Sequence, residues 1–262
     1  MSGFRDPVLI ALRAKTAGLQ AHGRISAGVL AFGDRRIDRH FRAGGLPLGQ
    51  WHEIVGEGLE LETSACPAAF AAVMASPLAR RGEAVWILRR DDLFAPGLSG
   101  LGFPVERLIQ VCARDETEAL AVAEDALSTE GVSAVFTEVD DVDLVAGRRL
   151  KLACERRGAT GFVIRRRPYG GGGDARRSGT TAATRWKIST VASQPEPGTF
   201  GLGPPRWRAD LELCRGGRPG TWLMEAQTAF TEETDDGTHP LRLVAELGDQ
   251  QLAPPQFQRW AG

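Results

Sequence analysis

The chain reads as an α/β protein: a mostly parallel sheet flanked by helices, with an antiparallel C-terminal extension of the sheet and a short N-terminal helix. Three observations predict this. Between residues 51 and 166, strand-like runs alternate with helical ones, and parallel neighbours require such crossovers. The run "EAVWILR" is apolar almost throughout, as expected of a strand covered on both faces. Beyond Arg165, β-rich runs follow one another with only turn-forming residues between them.

In chain order, "DPVLIALRAKTAGLQA" places Val8, Leu9, Leu12 and Leu19 near one helical face, with Asp6-Pro7 as cap and first turn. "WHEIV" is the first core strand, and Thr63 to Ala79 an Ala-rich helix that tolerates Pro67 in its first turn. "EAVWILR" follows, then a short helix near Phe94 and the strand "RLIQV". "DETEALAVAEDALSTEG" opens on a capping aspartate and closes on glycine, which frames a helix. "VSAVFTEV" is the next strand. The helix "DVDLVAGRRLKLACERRG" puts Val142, Val145, Ala146, Leu150 and Ala153 on one stripe, and "ATGFVIRR" is the fifth strand. After the four glycines of "RRPYGGGGDARRSGTT" come "ATRWKISTVAS", "RWRADLELCR" and "GTWLMEAQ", the last two joined by a "GGRPG" hairpin turn. Three units are expected: an N-terminal helix and linker (1–43), the core (44–227), and a polar C-terminal tail (228–262) that packs loosely.

The apolar fraction of 42% suffices for a sizeable interior, and a net charge of −1 exerts no overall pull on nucleic acid or membrane. Cys66, Cys112, Cys154 and Cys214 form no C-x-x-C pair, so free, mostly buried thiols in a reducing cytoplasm are expected. No run approaches membrane-spanning length and no signal-like N-terminus is present, so no membrane partner is expected. His22, His40, His52 and His239 lack metal-ligand spacing, and His52 reads as structural.

The junction "HEIVGEGLELETSACPAAF" has the layout of a phosphate-binding P-loop, G-x-x-x-x-G-K-[ST]. Counted from Gly56, the second glycine is Leu61, the lysine is Glu62, and only Thr63 fits. Leu61 brings a Cβ where a glycine conformation is wanted. Glu62 puts an anion where phosphate needs a cation. At roughly 4 Å and an effective dielectric near 20, each such pair of unit charges is worth about 4 kcal/mol. No nucleotide, metal or other cofactor is therefore expected, and Thr63 reads as a helix cap.

The run "AFGDRRIDRHFRAGGLPLGQWHEIVG", with the order and spacing of the segments after it, resembles a RecA-type core. Within that superfamily "GGLPLGQWHEI", "LFAPGLSGLG", "RRLKLACERRG", "TAATRWKI" and "RWRADLELCRGGRPGTWLMEA" are similar to the ImuA family, accessory proteins of bacterial damage-induced mutagenesis. The resemblance implies a cassette role beside ImuB, a Y-family-like protein, and an error-prone DnaE-type polymerase in translesion synthesis, with RecA as a further candidate partner. It also implies that the RecA water-activating glutamate falls on Arg90, and the Walker B place on or near Glu138, read here as a solvated strand-end carboxylate. A non-enzymatic adaptor is the expected function. Its rivals are a DNA-dependent RecA-type ATPase or recombination mediator and a SulA-like inhibitor of cell division.

The strongest charge cluster is Arg165, Arg166, Arg167 and Tyr169, then Arg176 and Arg177, then Arg185 and Lys187, opposed locally only by Asp174. Two readings stand for it: a track for single-stranded DNA at the place of the second RecA DNA-binding loop, and a solvated loop without a partner. Trp186 reads as core. Asp91 and Asp92 read as surface salt-bridge partners of Arg89 and Arg90, and the tail "GDQQLAPPQFQRW" as a candidate docking peptide.

Overall fold

The computed structural model describes residues 28–58, 65–166, 180–195, 198, 200–227 and 239–247. The N-terminal helix expected over 6–21 and the tail peptide lie outside them. So do most of the Gly-rich loop and the segment carrying Leu61, Glu62 and Thr63.

Eleven strands and five α-helices are described. The short pair β1 (Val29–Leu30) and β2 (Leu46–Pro47) forms an antiparallel ribbon. The others build one nine-stranded sheet: β3 (Trp51–Gly56), β4 (Glu83–Leu88), β5 (Leu108–Cys112), β6 (Val132–Val139), β7 (Thr160–Arg165), β8 (Thr184–Val191), β9 (Arg206–Cys214), β10 (Gly220–Ala226) and β11 (Leu241–Glu246). Its order is β11-β10-β9-β8-β3-β7-β6-β4-β5, parallel from β8 to β5 and antiparallel from β8 to β11. This is an α/β fold with a RecA-like core. The helices are α1 (Arg35–Asp38), α2 (Cys66–Ala79), α3 (Ala95–Gly100), α4 (Glu116–Leu127) and α5 (Leu144–Arg157).

Two apolar clusters cover the sheet. One holds α2, α3 and the segment from Leu30 to Leu46; the other holds α4 and α5. Nearly every residue of α2 is buried, so this helix carries apolar residues all round. Pro77 inside it cannot donate to the Val73 carbonyl, and the Ser76 hydroxyl does so instead at 3.2 Å. Across the core, His52, Phe162, Phe136 and Trp86 occupy paired positions on β3, β7, β6 and β4. Their rings stack at 5.5, 5.2 and 4.3 Å. A one-residue slip of any of these strands would send its ring to the other face, so the ladder locks register.

The stretch before β3 is core rather than linker. Phe32, Ile37 and Phe41 are buried, and the Asp38 carboxylate accepts from the amides of Phe32 and Gly33. A Cβ on Gly45 would lie 2.7 Å from the Leu30 carbonyl oxygen, so the Gly44-Gly45 turn admits the β1–β2 contact only as glycine. Within the stretch expected to pack loosely, the described residues Leu241–Glu246 form a strand. Leu241–Glu246 pair with β10 because Leu241 and Leu243 alternate into the Trp222 and Met224 side of the sheet. On α5, Val145 is exposed, and the buried face is Gly147, Leu150, Ala153 and Cys154. Trp186 is fully buried. Cys66 and Cys154 are buried thiols pushed up to about 12 by burial, Cys214 is half-buried and Cys112 exposed. Among the described residues no helix is long and apolar enough to cross a membrane.

His52 and His239 are both buried and neutral. His52 Nε2 lies 3.0 Å from the Pro47 carbonyl and its Nδ1 2.8 Å from the Thr184 hydroxyl. His239 lies 3.2 Å from the Met74 carbonyl and accepts from the Leu241 amide. Burial pulls each imidazole down from 6.5 to about 4. The unfolded chain then binds protons that the folded chain refuses between those values. Stability is full above pH about 6.5 and falls as pH drops toward about 4, by up to about 3 kcal/mol per histidine. Urea midpoints measured from pH 7 to 4.5 are expected to fall, and His239→Gln to flatten the slope between pH 6.5 and 5.

Candidate functional site

The parallel strands end at one edge of the sheet, where α/β proteins place their ligands. Each face of that edge carries its own ion cluster.

On the α4–α5 face, Glu53 of β3 is 3% exposed. Its Oε1 accepts from Arg165 Nη1 on β7, and its Oε2 from Arg185 Nε on β8, each at 2.8 Å. Arg165 also donates to the Asp141 carboxylate and the Asp140 carbonyl. The registers Glu53↔Val163 and Glu53↔Arg185 bring these groups together from both sides of β3. Two residues further along β8, Lys187 pairs with Glu57 at 2.9 Å and approaches Asp210 at 3.6 Å. Lys187 holds the Glu57 carboxyl below its ordinary range. Arg185 and Lys187 line a groove of about 580 Å³ with Asp210, Glu212 and Arg215.

On the α2 face, Glu138 of β6 is 4% exposed. Its Oε1 accepts from Trp86 Nε1 at 2.9 Å, and its Oε2 from Arg166 Nη1 at 2.8 Å. The Arg166 guanidinium also grips Asp92 through two 2.8 Å bonds and holds that carboxyl below its ordinary range. Arg166, Asp92 and Glu138 line a cavity of about 330 Å³ at the start of α2, walled by Ala65, Ala68, Leu93, Phe94 and Leu101. In a nucleotide-binding P-loop protein the N-terminus of the corresponding helix faces phosphate. Here a phosphate reaching for Arg166 meets two carboxylates already on that guanidinium.

Several expectations are corrected by this geometry. Glu138 is a buried acceptor, not a solvated carboxylate, because Trp86 and Arg166 satisfy its two oxygens. Asp92 pairs with Arg166 and Arg89 with Asp140 at 3.1 Å, while Arg90 adds to the positive surroundings that hold the Asp92 carboxyl down. Arg165 and Arg185, expected in a surface track, are buried and pair with Glu53. Arg166 and Lys187 stay partly accessible, each opposed by carboxylates contributed from other strands and loops. Gly56 ends β3. Arg167, Tyr169, Arg176 and Arg177 lie outside the described residues, as do Leu61, Glu62 and Thr63. Helix α2 begins at Cys66 with no side-chain cap on its first turn.

Sequence reasoning missed Glu53. The available signal was a charge inside the otherwise apolar strand "WHEIV", matched by arginines inside "ATGFVIRR" and "ATRWKIS". Among the described residues no group of three or more His, Cys, Asp or Glu side chains is arranged to hold a metal ion.

Comparison with known proteins bears on this site. No family model matches the chain. Protein ImuA from each of two strains of Caulobacter vibrioides is 53% identical over 249 residues, spanning 93% of this chain and 100% of that protein. The chain belongs to the ImuA family. In this ImuA-family chain, the buried Glu53, Arg165 and Arg185 tie three adjacent strands at the edge where a nucleotide-binding relative of the fold would work.

Glu53→Gln leaves two buried guanidiniums sharing a neutral amide. Removing one partner of a buried ion pair costs about 3–5 kcal/mol. The variant is expected to lose stability in that range by urea denaturation. Glu53→Leu combined with Arg165→Met and Arg185→Leu should recover most of it.

Proposed function

We propose that the chain is a non-catalytic RecA-like adaptor of damage-induced mutagenesis. It binds an ImuB-like Y-family protein, and with it an error-prone DnaE-type polymerase, and so supports translesion synthesis. RecA is a further candidate partner. The observation that carries the non-catalytic part is the Arg166–Glu138–Asp92 cluster at the head of α2. That cluster commits Arg166, which lines the cavity at the head of α2, to two carboxylates. The sequence adds Leu61 and Glu62 where a working loop needs glycine and lysine. The adaptor part rests on the family membership and on what the ImuA resemblance implies.

A DNA-dependent ATPase of this fold needs a cation free to meet the β- and γ-phosphates and a carboxylate to activate water. Glu138 has both oxygens engaged, and Arg90 stands at the place of the RecA glutamate. A SulA-like inhibitor is separated from the adaptor by its target.

Titration of the full chain with a fluorescent ATP analogue and Mg²⁺ is expected to give no saturable binding up to millimolar ligand; micromolar affinity would favour the ATPase. In a parallel capture experiment, the purified chain should retain an ImuB-type companion and not the division protein FtsZ. The reverse result would move the assignment to the division inhibitor.

A further inference from the structure

We infer that the solvent ridge of α5 is a docking surface for an acidic, amphipathic protein segment. This inference rests on the adaptor reading and names the surface that performs it.

The helix is a rigid platform. Asp143 Oδ1 caps it by accepting from the Ala146 amide at 2.7 Å, and Gly158 closes it in the left-handed conformation at φ 81°. Its inner face of Gly147, Leu150, Ala153 and Cys154 packs on the sheet. A Cβ at Gly147 would stand 2.7 Å from the Thr181 hydroxyl and 3.1 Å from the Trp51 ring, so the helix lies as close to the sheet as its backbone permits.

The core is thus satisfied without Val145 and Leu152, which are 63% and 57% exposed. Seven residues apart, they sit one above the other on the outward face. Arg148 and Arg156 are exposed beside them and form no ion pair with any described residue, whereas Arg149 pairs with Glu124 at 2.8 Å. Isolated exposed apolar side chains are ordinary. Two in line on a capped helix, bordered by guanidiniums that no described carboxylate pairs, make a patch with a definite complement: apolar anchors flanked by carboxylates.

Nucleic acid satisfies the arginines and leaves Val145 and Leu152 without a partner, because phosphate contacts carry no apolar group. A lipid surface needs a broader apolar face. A helix or strand of a partner protein, with Asp or Glu beside its apolar positions, meets both halves of the ridge.

The test uses the purified full chain, a purified ImuB-type companion and a single-stranded DNA oligonucleotide. The expected result is capture of the companion by the unmodified chain that weakens with salt. Val145→Glu with Leu152→Glu should weaken capture at least about tenfold. Arg148→Glu with Arg156→Glu should weaken it and reduce its salt dependence. All four positions are solvent-exposed, so unchanged circular dichroism and urea midpoints confirm that the variants are folded. Capture by the unmodified chain with equal capture by both double variants overturns the ridge and leaves the adaptor standing. No capture by the unmodified chain removes the adaptor and the ridge with it. Loss of oligonucleotide binding in the arginine variant, with companion capture intact in both, reassigns the surface to nucleic acid and overturns the inference.

Discussion

The carboxylate of Glu53 governs the arrangement at the head of the sheet. A charge this deeply buried is tolerable only when paired and hydrogen-bonded, and both of its oxygens are taken by guanidiniums from the strands on either side. The consequence is mechanical as well as electrostatic. The central strand is tied to the carboxyl end of β7 and to the start of β8, on the face opposite the aromatic ladder that sets register. Two of the arginines that make the segment from Arg165 to Lys187 look electropositive are thereby turned inward.

A second carboxylate does the same on the opposite face. Glu138 accepts from Trp86 at the top of the ring ladder and from Arg166 above α2. One guanidinium serves both Glu138 and Asp92, so the cavity beside α2 presents neutralised charge and apolar walls. At the described edge of the sheet, both faces are cross-braced by ion pairs between strands.

Much of this architecture was legible in residue patterns. The strand "VSAVFTEV" runs from Val132 to Val139 as written, and Asp115 and Asp143 cap the helices they precede. Trp186 and His52 are interior, as their places in strands suggested. The failures have particular causes. Val145 fits a helical stripe by period, yet Gly147 draws the helix so close to Trp51 that the buried face rotates past it. Leu241–Glu246 hide in a polar stretch because only alternate residues of a sheet-edge strand need be apolar. Glu138 looked solvated because its position at a strand end says nothing about what folds over it.

The sequence by itself determined the alternation of strands and helices, the antiparallel run that follows, the loss of glycine and lysine at Leu61 and Glu62, and the membership of the ImuA family. These follow from local periodicity and from residue identity at fixed spacing. Which charges meet was settled only when the chain folded. Arg166 finds Asp92 across 74 residues, Arg165 finds Glu53 across 112, and Arg185 finds Glu53 across 132. An ion pair depends on distance in space, and strand order places β7 and β8 on either side of β3 although both follow it by more than a hundred residues.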